Sequence, residues 1–311
     1  MFHETLESRQ LFSVTASIDA YGSLNVVGDA AGNGIAVVMS ADGRSLLVQE
    51  YVGPGHTYAT RMTFPVKGVT GIGIWGLGGN DTLGVGATVT LPTGIYGGEG
   101  DDYLYGGAGM DAISGENGND FLVGNDGDDF LFGGNNDDTL VGDFGQDYMA
   151  GGNGNDTADY SDRSDHLVLR ATGRWESGGR TSTGASWEND CINWDVENLT
   201  GGFGNDWIYA NGVRAGSVVH GGFGNDLIYG SALNDNLYGD AGDDELYGYA
   251  GNDLLVGGEG SDWIWARDGQ MDLVFGGNTD GSGTAGFDRV QDDVPPSPAY
   301  DILHDIDAHV S

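Results

Sequence analysis

The chain of 311 residues has little of what usually holds a domain together. It contains one cysteine, Cys191, so no disulfide can form within the chain. Leu, Ile, Val and Phe together make up only about a fifth of the residues, and a thick apolar core is therefore not expected. No run approaches the roughly 18 consecutive apolar residues of a membrane-spanning helix, which argues against a membrane span.

Positive charge is also scarce, since 11 Lys and Arg stand against 48 Asp and Glu and leave a formal net charge of −37. Between Val69 and Asp162 there are 17 carboxylates and no lysine or arginine. A surface of this kind repels nucleic acid and anionic membranes, so neither is an expected partner. Carboxylates packed this densely need either raised pKa values or bound cations, and cations are the simpler explanation.

Glycine, by contrast, is abundant, with 59 residues that follow a nine-residue repeat. The unit is G-x-x-G-x-D-x-U-x, where U is apolar, and its positions are numbered one to nine below. The 14 units form two arrays that begin at Gly76, Gly97, Gly106, Gly115, Gly124, Gly133, Gly142 and Gly151, and at Gly201, Gly221, Gly230, Gly239, Gly248 and Gly257. Position six is Asp in every unit, position four is Gly in 12, and position eight is Leu or Ile in 12.

Each position of the unit has a physical role. Glycine at positions one and four, with Asn or Asp common at position five, favours positive φ, so the first six residues predict a turn. The last three predict a short strand in which position eight points inward while positions seven and nine point outward. One inward apolar residue in nine gives a thin core. Such a unit must stack on its neighbours as a solenoid.

This nonapeptide resembles the calcium-binding repeat of RTX proteins, also called hemolysin-type calcium-binding repeat proteins. The resemblance implies an all-β, right-handed parallel β-roll in which two nonapeptides complete one coil. It also implies that calcium lies between turns stacked on the same edge, held by position-six aspartates and turn carbonyls. Calcium prefers oxygen ligands of these kinds, so the chemistry of the residues favours the same ion. The alternative is that the aspartates serve only as turn formers.

Alternate units fall on the same edge, which predicts which aspartates stack. If residues 85–96 and 210–220 are degenerate half-coils, the edges carry Asp81, Asp102, Asp120, Asp138 and Asp156; Asp111, Asp129 and Asp147; Asp206, Asp226, Asp244 and Asp262; and Asp235 and Asp253. Pairs of neighbours along these edges predict about ten calcium sites.

The flanking segments divide the chain further. Residues 1–13 contain Leu6–Ser13, L-E-S-R-Q-L-F-S, which resembles the L-E-P-R-x-L-L sorting tag of bacterial surface and exported proteins, with Ser8 in place of proline. Residues 14–75 alternate as β-strands around a hairpin turn at Asp42-Gly43 and predict a β-rich cap. The two arrays span residues 76–159 and 201–275. Between them, residues 160–200 predict an irregular coil with a surface loop, and residues 276–311 predict a C-terminal cap or tail.

Signatures of catalysis are missing. His3-Glu4 does not begin an H-E-x-x-H motif, and the chain has no G-x-S-x-G elbow, P-loop or EF-hand. His304 and His309, five residues apart, are expected to be ordinary surface histidines. We therefore expect a protein that is not an enzyme, although a catalytic solenoid that acts on extracellular polysaccharide is an alternative.

The outward positions of the second array predict an aromatic ladder. Its members are Trp207, Tyr209, Tyr229, Tyr247, Trp263 and Trp265. Such a strip suits carbohydrate stacking, which makes a calcium-dependent carbohydrate or matrix adhesin an alternative function, or it suits packing and self-association. The main expectation is a calcium-binding structural protein, extracellular or attached to the bacterial surface, whose β-roll folds when Ca²⁺ binds.

Overall fold

The computed structural model describes residues 14–51, 58–174, 177–179, 189–210, 212–213, 215–277, 288–291, 302–304, 306 and 308–309. The sorting-tag-like segment, residues 1–13, lies outside the described residues, as does most of the segment 276–311. Every regular element in the described ranges is a β-strand, and none of these residues forms a helix long and apolar enough to cross a bilayer.

The N-terminal region forms a β-rich cap, as predicted. Its strands are β1 (Thr15–Ile18), β2 (Ser23–Val27), β3 (Gly34–Met39), β4 (Ser45–Tyr51) and β5 (Tyr58–Pro65). β3 and β4 pair antiparallel around the predicted turn, where Gly43 has a φ of +67° and its amide donates to the Ser40 carbonyl. β2 and β3 also pair in parallel with the first strands of the repeats, so the cap and the roll share two sheets.

The first array consists of short strands joined by the glycine-rich turns. These strands are β6 (Gly71–Gly78), β7 (Thr82–Val85), β8 (Thr93–Glu99), β9 (Tyr103–Tyr105), β10 (Asp111–Asn117), β11 (Phe121–Val123), β12 (Phe130–Asn135), β13 (Thr139–Val141), β14 (Tyr148–Asn153) and β15 (Thr157–Asp159). Leu122 of β11 pairs in parallel register with Leu104 and Leu140, each 18 residues away. Two nonapeptides therefore make one coil.

The segment between the arrays continues the stack. It contains β16 (Val168–Arg170), β17 (Cys191–Ile192) and β18 (Asn198–Thr200). β17 pairs with β14 of the first array, whereas β16 pairs with the first strand of the second array, Trp207–Tyr209. The part of residues 160–200 that the structure describes is therefore a rung of the solenoid.

The second array and the C-terminal segment extend the coil. Their strands are β19 (Trp207–Tyr209), β20 (Val218–His220), β21 (Leu227–Tyr229), β22 (Asn236–Ala241), β23 (Glu245–Tyr247), β24 (Leu254–Glu259), β25 (Trp263–Trp265), β26 (Leu273–Phe275), β27 (Arg289–Gln291), β28 (Ile302–His304) and β29 (Ala308–His309). β27, β28 and β29 all pair in parallel with strands of the preceding coil, so the stack continues past Gly276.

Three sheets build the solenoid. A 14-stranded sheet runs through both arrays in the order β28-β26-β24-β22-β20-β18-β15-β13-β11-β9-β7-β3-β4-β5. An eight-stranded sheet, β1-β2-β6-β8-β10-β12-β14-β17, completes the coils of the first array, and a seven-stranded sheet, β16-β19-β21-β23-β25-β27-β29, completes those of the second. The all-β parallel solenoid is confirmed, and the two arrays are joined by one continuous sheet.

The core of the arrays consists of the position-eight side chains, which stack in one row per sheet along the solenoid, as the alternation predicted. Leu104, Leu122, Leu140, Leu237 and Leu255 are all fully buried. The departures from the pattern, Met149 and Ala158, are buried in the same rows. Each coil contributes only two such side chains, so much of the cohesion between coils must come from the turns.

Candidate metal centre

Residues with positive φ occur at two positions of the turns, and only one of these, position four, was predicted. Positive φ occurs at position two, as in Glu116 (+76°) and Asp143 (+67°), and at position four, as in Gly118 (+133°). The expectation of positive φ at position one is wrong, because the described glycines there keep ordinary φ. Position four is glycine for a second reason, since a Cβ on Gly118 would overlap the carbonyl oxygen of Gly100 in the preceding coil.

Position one is glycine because of the space beside it. A Cβ on Gly97 would overlap Oδ2 of Asp102 and lie against the carbonyl oxygen of Gly115 in the next coil. Gly115 has the same relation to Asp120 and to the carbonyl of Gly133. Each turn thus holds a cradle of oxygen atoms, one from a carboxylate and one from a neighbouring turn, that any larger side chain would fill.

The position-six aspartates form three lines, one at the edge leading into each sheet. The long line leads into the 14-stranded sheet and contains Asp81, Asp102, Asp120, Asp138 and Asp156, then Asp235 and Asp253. The early line leads into the eight-stranded sheet and contains Asp111, Asp129 and Asp147. The late line leads into the seven-stranded sheet and contains Asp206, Asp226, Asp244 and Asp262. The structure brings together every neighbouring pair that the spacing predicted.

One carboxylate oxygen of each aspartate ties its coil to the preceding one. The backbone N–H of Asp120 donates to Oδ1 of Asp138 at 2.8 Å, and the N–H of Asp102 donates to Oδ1 of Asp120 at 2.8 Å. The same bond joins Asp226 to Asp244 at 2.8 Å. Because both partners are buried, each bond also removes a backbone donor that would otherwise be unsatisfied.

The second carboxylate oxygen is different. Oδ2 is buried and has no hydrogen-bond partner in ten of these side chains, Asp81, Asp102, Asp120, Asp129, Asp138, Asp156, Asp226, Asp244, Asp253 and Asp262. Native structures contain only a few unsatisfied buried polar atoms per 100 residues, so a periodic set of ten indicates a missing ligand.

Burial also shifts the acid strength of these groups. Desolvation raises the pKa of Asp102 and Asp138 to about 7 and that of Asp129 to about 8. It raises the pKa of Asp244 to about 9, where the neighbouring Asp226 and Asp262 carboxylates add to the effect. The backbone N–H bonds to Oδ1 oppose this shift in each case. The charged carboxylates therefore lack a compensating positive charge.

Four further carboxylates extend the lines and were missed in the sequence. The early line ends on Asp190, which accepts from the N–H of Asp147 at 3.0 Å. In the long line Glu197 follows Asp156, at 3.1 Å from its N–H. The remaining two are Asp272, which accepts from the N–H of Asp253 at 2.8 Å, and Asp288, which accepts from that of Asp262 at 3.2 Å.

Asp190, Glu197 and Asp272 lack the glycine frame, whereas Asp288 is the sixth residue of a further complete unit that begins at Gly283. All four keep the local pattern carboxylate-x-apolar-x. Examples are Asp190-Cys191-Ile192-Asn193 and Glu197-Asn198-Leu199-Thr200. A search for this four-residue pattern would have found them. Each line also starts on a residue that is not acidic, since the N–H of Asn33 donates to Asp81, that of Thr93 to Asp111 and that of Leu167 to Asp206.

The oxygen atoms of the turns fit a hard divalent cation. Within the ranges that the structure describes, no three His, Cys, Asp or Glu side chains cluster as a metal site. An ion in these turns would therefore bind one or two carboxylates per step and complete its shell with backbone carbonyls such as that of Gly115. Calcium accepts six to eight oxygens with flexible geometry, whereas zinc prefers nitrogen and sulfur ligands, so the donor set suits calcium.

The aromatic side chains of the second array form a shorter stack than predicted. Tyr209, Tyr229, Tyr247 and Trp265 lie in register, with ring centroids 4.9, 4.8 and 5.4 Å apart along the stack. Trp207 belongs to the neighbouring row, where Leu227, Glu245 and then Trp263 follow it, so the prediction of one six-membered ladder is wrong.

Most faces of these rings contact another ring or a guanidinium group. The stacked rings contact one another face to face, and the Arg170 guanidinium lies 4.3 Å from the centroid of Tyr209 at one end. At the other end Trp263 stacks on Trp265 with centroids 6.1 Å apart, beneath the Arg289 guanidinium. Mainly ring edges remain for solvent. Sugar rings stack on aromatic faces, so this arrangement favours packing within the chain over carbohydrate binding.

Comparison with known proteins agrees with the turns. A family model described as the RTX calcium-binding nonapeptide repeat (4 copies) matches residues 95–122, 123–158, 193–212, 217–246, 229–264 and 247–270. A search of curated proteins found no match. The chain thus carries RTX calcium-binding repeats, and the matched segments contain nine of the ten aspartates whose Oδ2 lacks a partner, all but Asp81. The fold and the site together define a calcium-binding β-solenoid.

Proposed function

We propose that this chain is an exported structural protein without catalytic activity, and that calcium binding is its folding reaction. The observation that carries the proposal is the file of buried Oδ2 atoms without hydrogen-bond partners, repeated from coil to coil. The coils cannot neutralise these carboxylates themselves, since the first array has no lysine or arginine. A bound divalent cation supplies the missing charge at each step.

The residues that hold the ion are the position-six aspartates of the three lines. When bound, calcium supplies positive charge and an oxygen-coordinating centre between stacked turns. Oδ2 is the ligand oxygen in the ten aspartates where it has no hydrogen-bond partner, while Oδ1 keeps its bond to the backbone N–H of the preceding coil. The glycine at position one leaves the cradle open for the ion, and positions two and four let neighbouring turns approach.

We place the folded protein outside the cell because of the affinity expected of its calcium sites. Extracellular calcium modules bind at roughly 10⁻⁴ to 10⁻³ M, so their sites are empty in cytosol and filled outside the cell. At a tenfold excess over its dissociation constant, each site adds about 1.4 kcal/mol to the stability of the folded chain. About ten sites together add about 14 kcal/mol, which is as much as the whole stability of an ordinary domain, 5 to 15 kcal/mol. The chain is expected to stay unfolded until it is exported.

Far-ultraviolet circular dichroism of the full chain tests the proposal. We expect a disordered spectrum in a calcium chelator and a β-rich spectrum after calcium is added in excess. Magnesium at the same concentration is the control and is expected to have little effect, because it requires rigid octahedral geometry and releases its water reluctantly. A β-rich spectrum that is unchanged by chelation would contradict the coupling of calcium to folding.

A further inference from the structure

The end of the early line differs from the ten steps whose aspartate Oδ2 has no hydrogen-bond partner. Asp190 is fully buried, and its Oδ1 accepts from the N–H of Asp147, as in the repeats. Its Oδ2, however, accepts a hydrogen bond from the hydroxyl of Tyr160, 30 residues away, at 2.8 Å. Among the repeat aspartates, the Oδ2 atoms of Asp111, Asp206 and Asp235 also accept from the protein, but each does so from a residue of its own turn. In Asp129, the member of the same line two positions earlier, Oδ2 is buried without a partner. The protein itself therefore occupies the oxygen that is left for the metal elsewhere.

Tyr160 is built into this position. It is among the largest fully buried side chains of the molecule. Its backbone N–H donates to the carbonyl of Thr200 at 3.0 Å, which ties it to the adjoining coil. Burial and the nearby Asp190 carboxylate raise the pKa of Tyr160 well above its usual value, so the hydroxyl remains a donor.

A buried guanidinium occupies the neighbouring turn. Arg163 has only 3% of its side chain exposed, and its Nη1 donates to the backbone carbonyl of Asp143, in the last complete turn of the early line, at 2.5 Å. Its Nε lies 3.2 Å from Oδ1 of Asp165, and its guanidinium lies 4.5 Å from the centroid of Phe144. A fixed positive charge of the protein thus sits on a turn carbonyl, the second class of calcium ligand.

The same segment reaches the second array. The backbone carbonyl of Arg163 accepts from the N–H of Phe203 at 2.7 Å, in the first turn of the late line. A Cβ on Gly202 would overlap that carbonyl, so glycine is needed for the contact. Tyr160 and Arg163 therefore lie where one line ends and the next begins.

We propose that Tyr160, supported by Arg163, closes the last step of the early line without calcium, so that the Asp147–Asp190 pair is not a metal site. This inference rests on the proposed function, since it assigns which steps of the roll bind the ion. The last carboxylate of the early line, Asp190, is then held by hydrogen-bond donors of the protein rather than by an ion. The two arrays are joined there by contacts between protein groups in which no calcium takes part.

The test counts bound calcium in the full chain by equilibrium dialysis at saturating calcium. Asp190→Asn is expected to keep the wild-type count, because Asp190 is not a ligand, the amide oxygen can still accept from the N–H of Asp147, and the amide N–H can donate to the hydroxyl of Tyr160. Asp138→Asn, in the middle of the long line, is the matched control and is expected to lose at least one calcium. Tyr160→Phe, alone or with Arg163→Gln, is expected to gain one calcium, because Oδ2 of Asp190 is released.

Tyr229→Phe, which removes a hydroxyl from the outer face of the second array, is expected to leave the count unchanged. A loss of calcium in Asp190→Asn equal to that in Asp138→Asn would overturn the assignment. An unchanged count in Tyr160→Phe would also contradict it, since the hydroxyl would not be what excludes the ion. If Asp138→Asn itself keeps the wild-type count, the calcium lines are wrong and the proposed function fails instead.

Discussion

The two arrays share one turn but differ on their outer faces. In the first array most of the aromatic contacts are tilted, as between Tyr103 and Phe121, whose centroids are 6.0 Å apart, and Trp75 and Tyr96 form its one stacked pair among the described residues, at 5.6 Å. In the second array the rings stack closely, as between Tyr229 and Tyr247 at 4.8 Å. Stacked rings contribute roughly 0.5–1.5 kcal/mol per pair beyond the area they bury. The second array therefore has a source of cohesion that does not depend on metal.

Charge accentuates this difference. The first array contains no lysine or arginine, whereas the second is bordered by Arg170 and Arg289, each over an aromatic ring. Under the proposed function, the same repeat thus yields one region whose outer face adds little to the cohesion that calcium provides and another in which ring stacking adds to it. Two arrays with nearly identical turns need not have the same calcium dependence.

The largest expected effect comes from removing two adjacent aspartates of the first array. Asp120→Asn with Asp138→Asn weakens three successive steps of the long line. At tenfold calcium excess the loss of three sites lowers the free energy of unfolding by about 4 kcal/mol. Urea denaturation at a fixed calcium concentration measures this loss of unfolding free energy. Asp101→Asn with Asp137→Asn removes the same charge from exposed turn positions and is the control, for which little change is expected.

The corresponding pair in the second array sharpens the comparison. Asp226→Asn with Asp244→Asn also weakens three steps, but the ring stack remains. We expect this variant to need less additional calcium for refolding than the variant in the first array. If both pairs shift the calcium midpoint equally, the outer faces contribute nothing to the difference between arrays.

The next largest expected effect is that the stability of the calcium-free chain depends on pH. The folded-state pKa values of Asp102, Asp129 and Asp244 are raised to about 7, 8 and 9, whereas the unfolded values lie near 4. The folded chain therefore binds more protons than the unfolded chain between these limits. The stability from these groups is fully present below about pH 4 and is lost as pH rises through about 7 to 9.

Thermal melts in chelator at pH 5 and pH 8 measure this dependence. The calcium-free chain is expected to retain more β-structure at pH 5. Calcium affinity should change in the opposite direction, because the ligand carboxylates must lose their protons before the ion binds. A calcium-free chain that is more stable at pH 8 than at pH 5 would contradict the assigned burial of these carboxylates.

The smallest expected loss of stability comes from removing one aromatic ring from the stack. Tyr229→Ser removes two stacking contacts, with Tyr209 and Tyr247, and is expected to lower the free energy of unfolding by about 1–3 kcal/mol at saturating calcium. Tyr103→Ser in the first array, where the ring is 53% exposed, is expected to have a smaller effect. Equal effects in the two variants would show that the closer stacking adds no stability.

Much of the fold could be predicted from the sequence because the repeat is strict. The glycine and aspartate spacing predicted the strands, the inward file at position eight and the order of aspartates along each edge. It did not predict Asp272, whose turn has lost the glycines, or Asp288, whose unit keeps Gly283 and Gly286 but follows 26 residues after Asp262 rather than 18. Glycines at position one were assigned to positive φ, whereas the structure shows that they make room for a carboxylate.

The junction was beyond prediction for a different reason. The hydrogen bond between Tyr160 and Asp190 joins residues 30 apart across a segment without a repeat. No periodicity indicates which oxygen that hydroxyl meets. The aromatic stack was predicted with too many members, because outward side chains at positions seven and nine form two rows rather than one.

Hydrogen–deuterium exchange of the full chain, with calcium in excess and with chelator, tests the central claim most directly. The account predicts that the strand amides of both arrays are protected when calcium is present and exchange rapidly when it is removed. Slow exchange of the amides of Asp102, Asp120 and Asp226 in chelator at neutral pH would contradict it, because the carboxylate lines would then be stable without the ion.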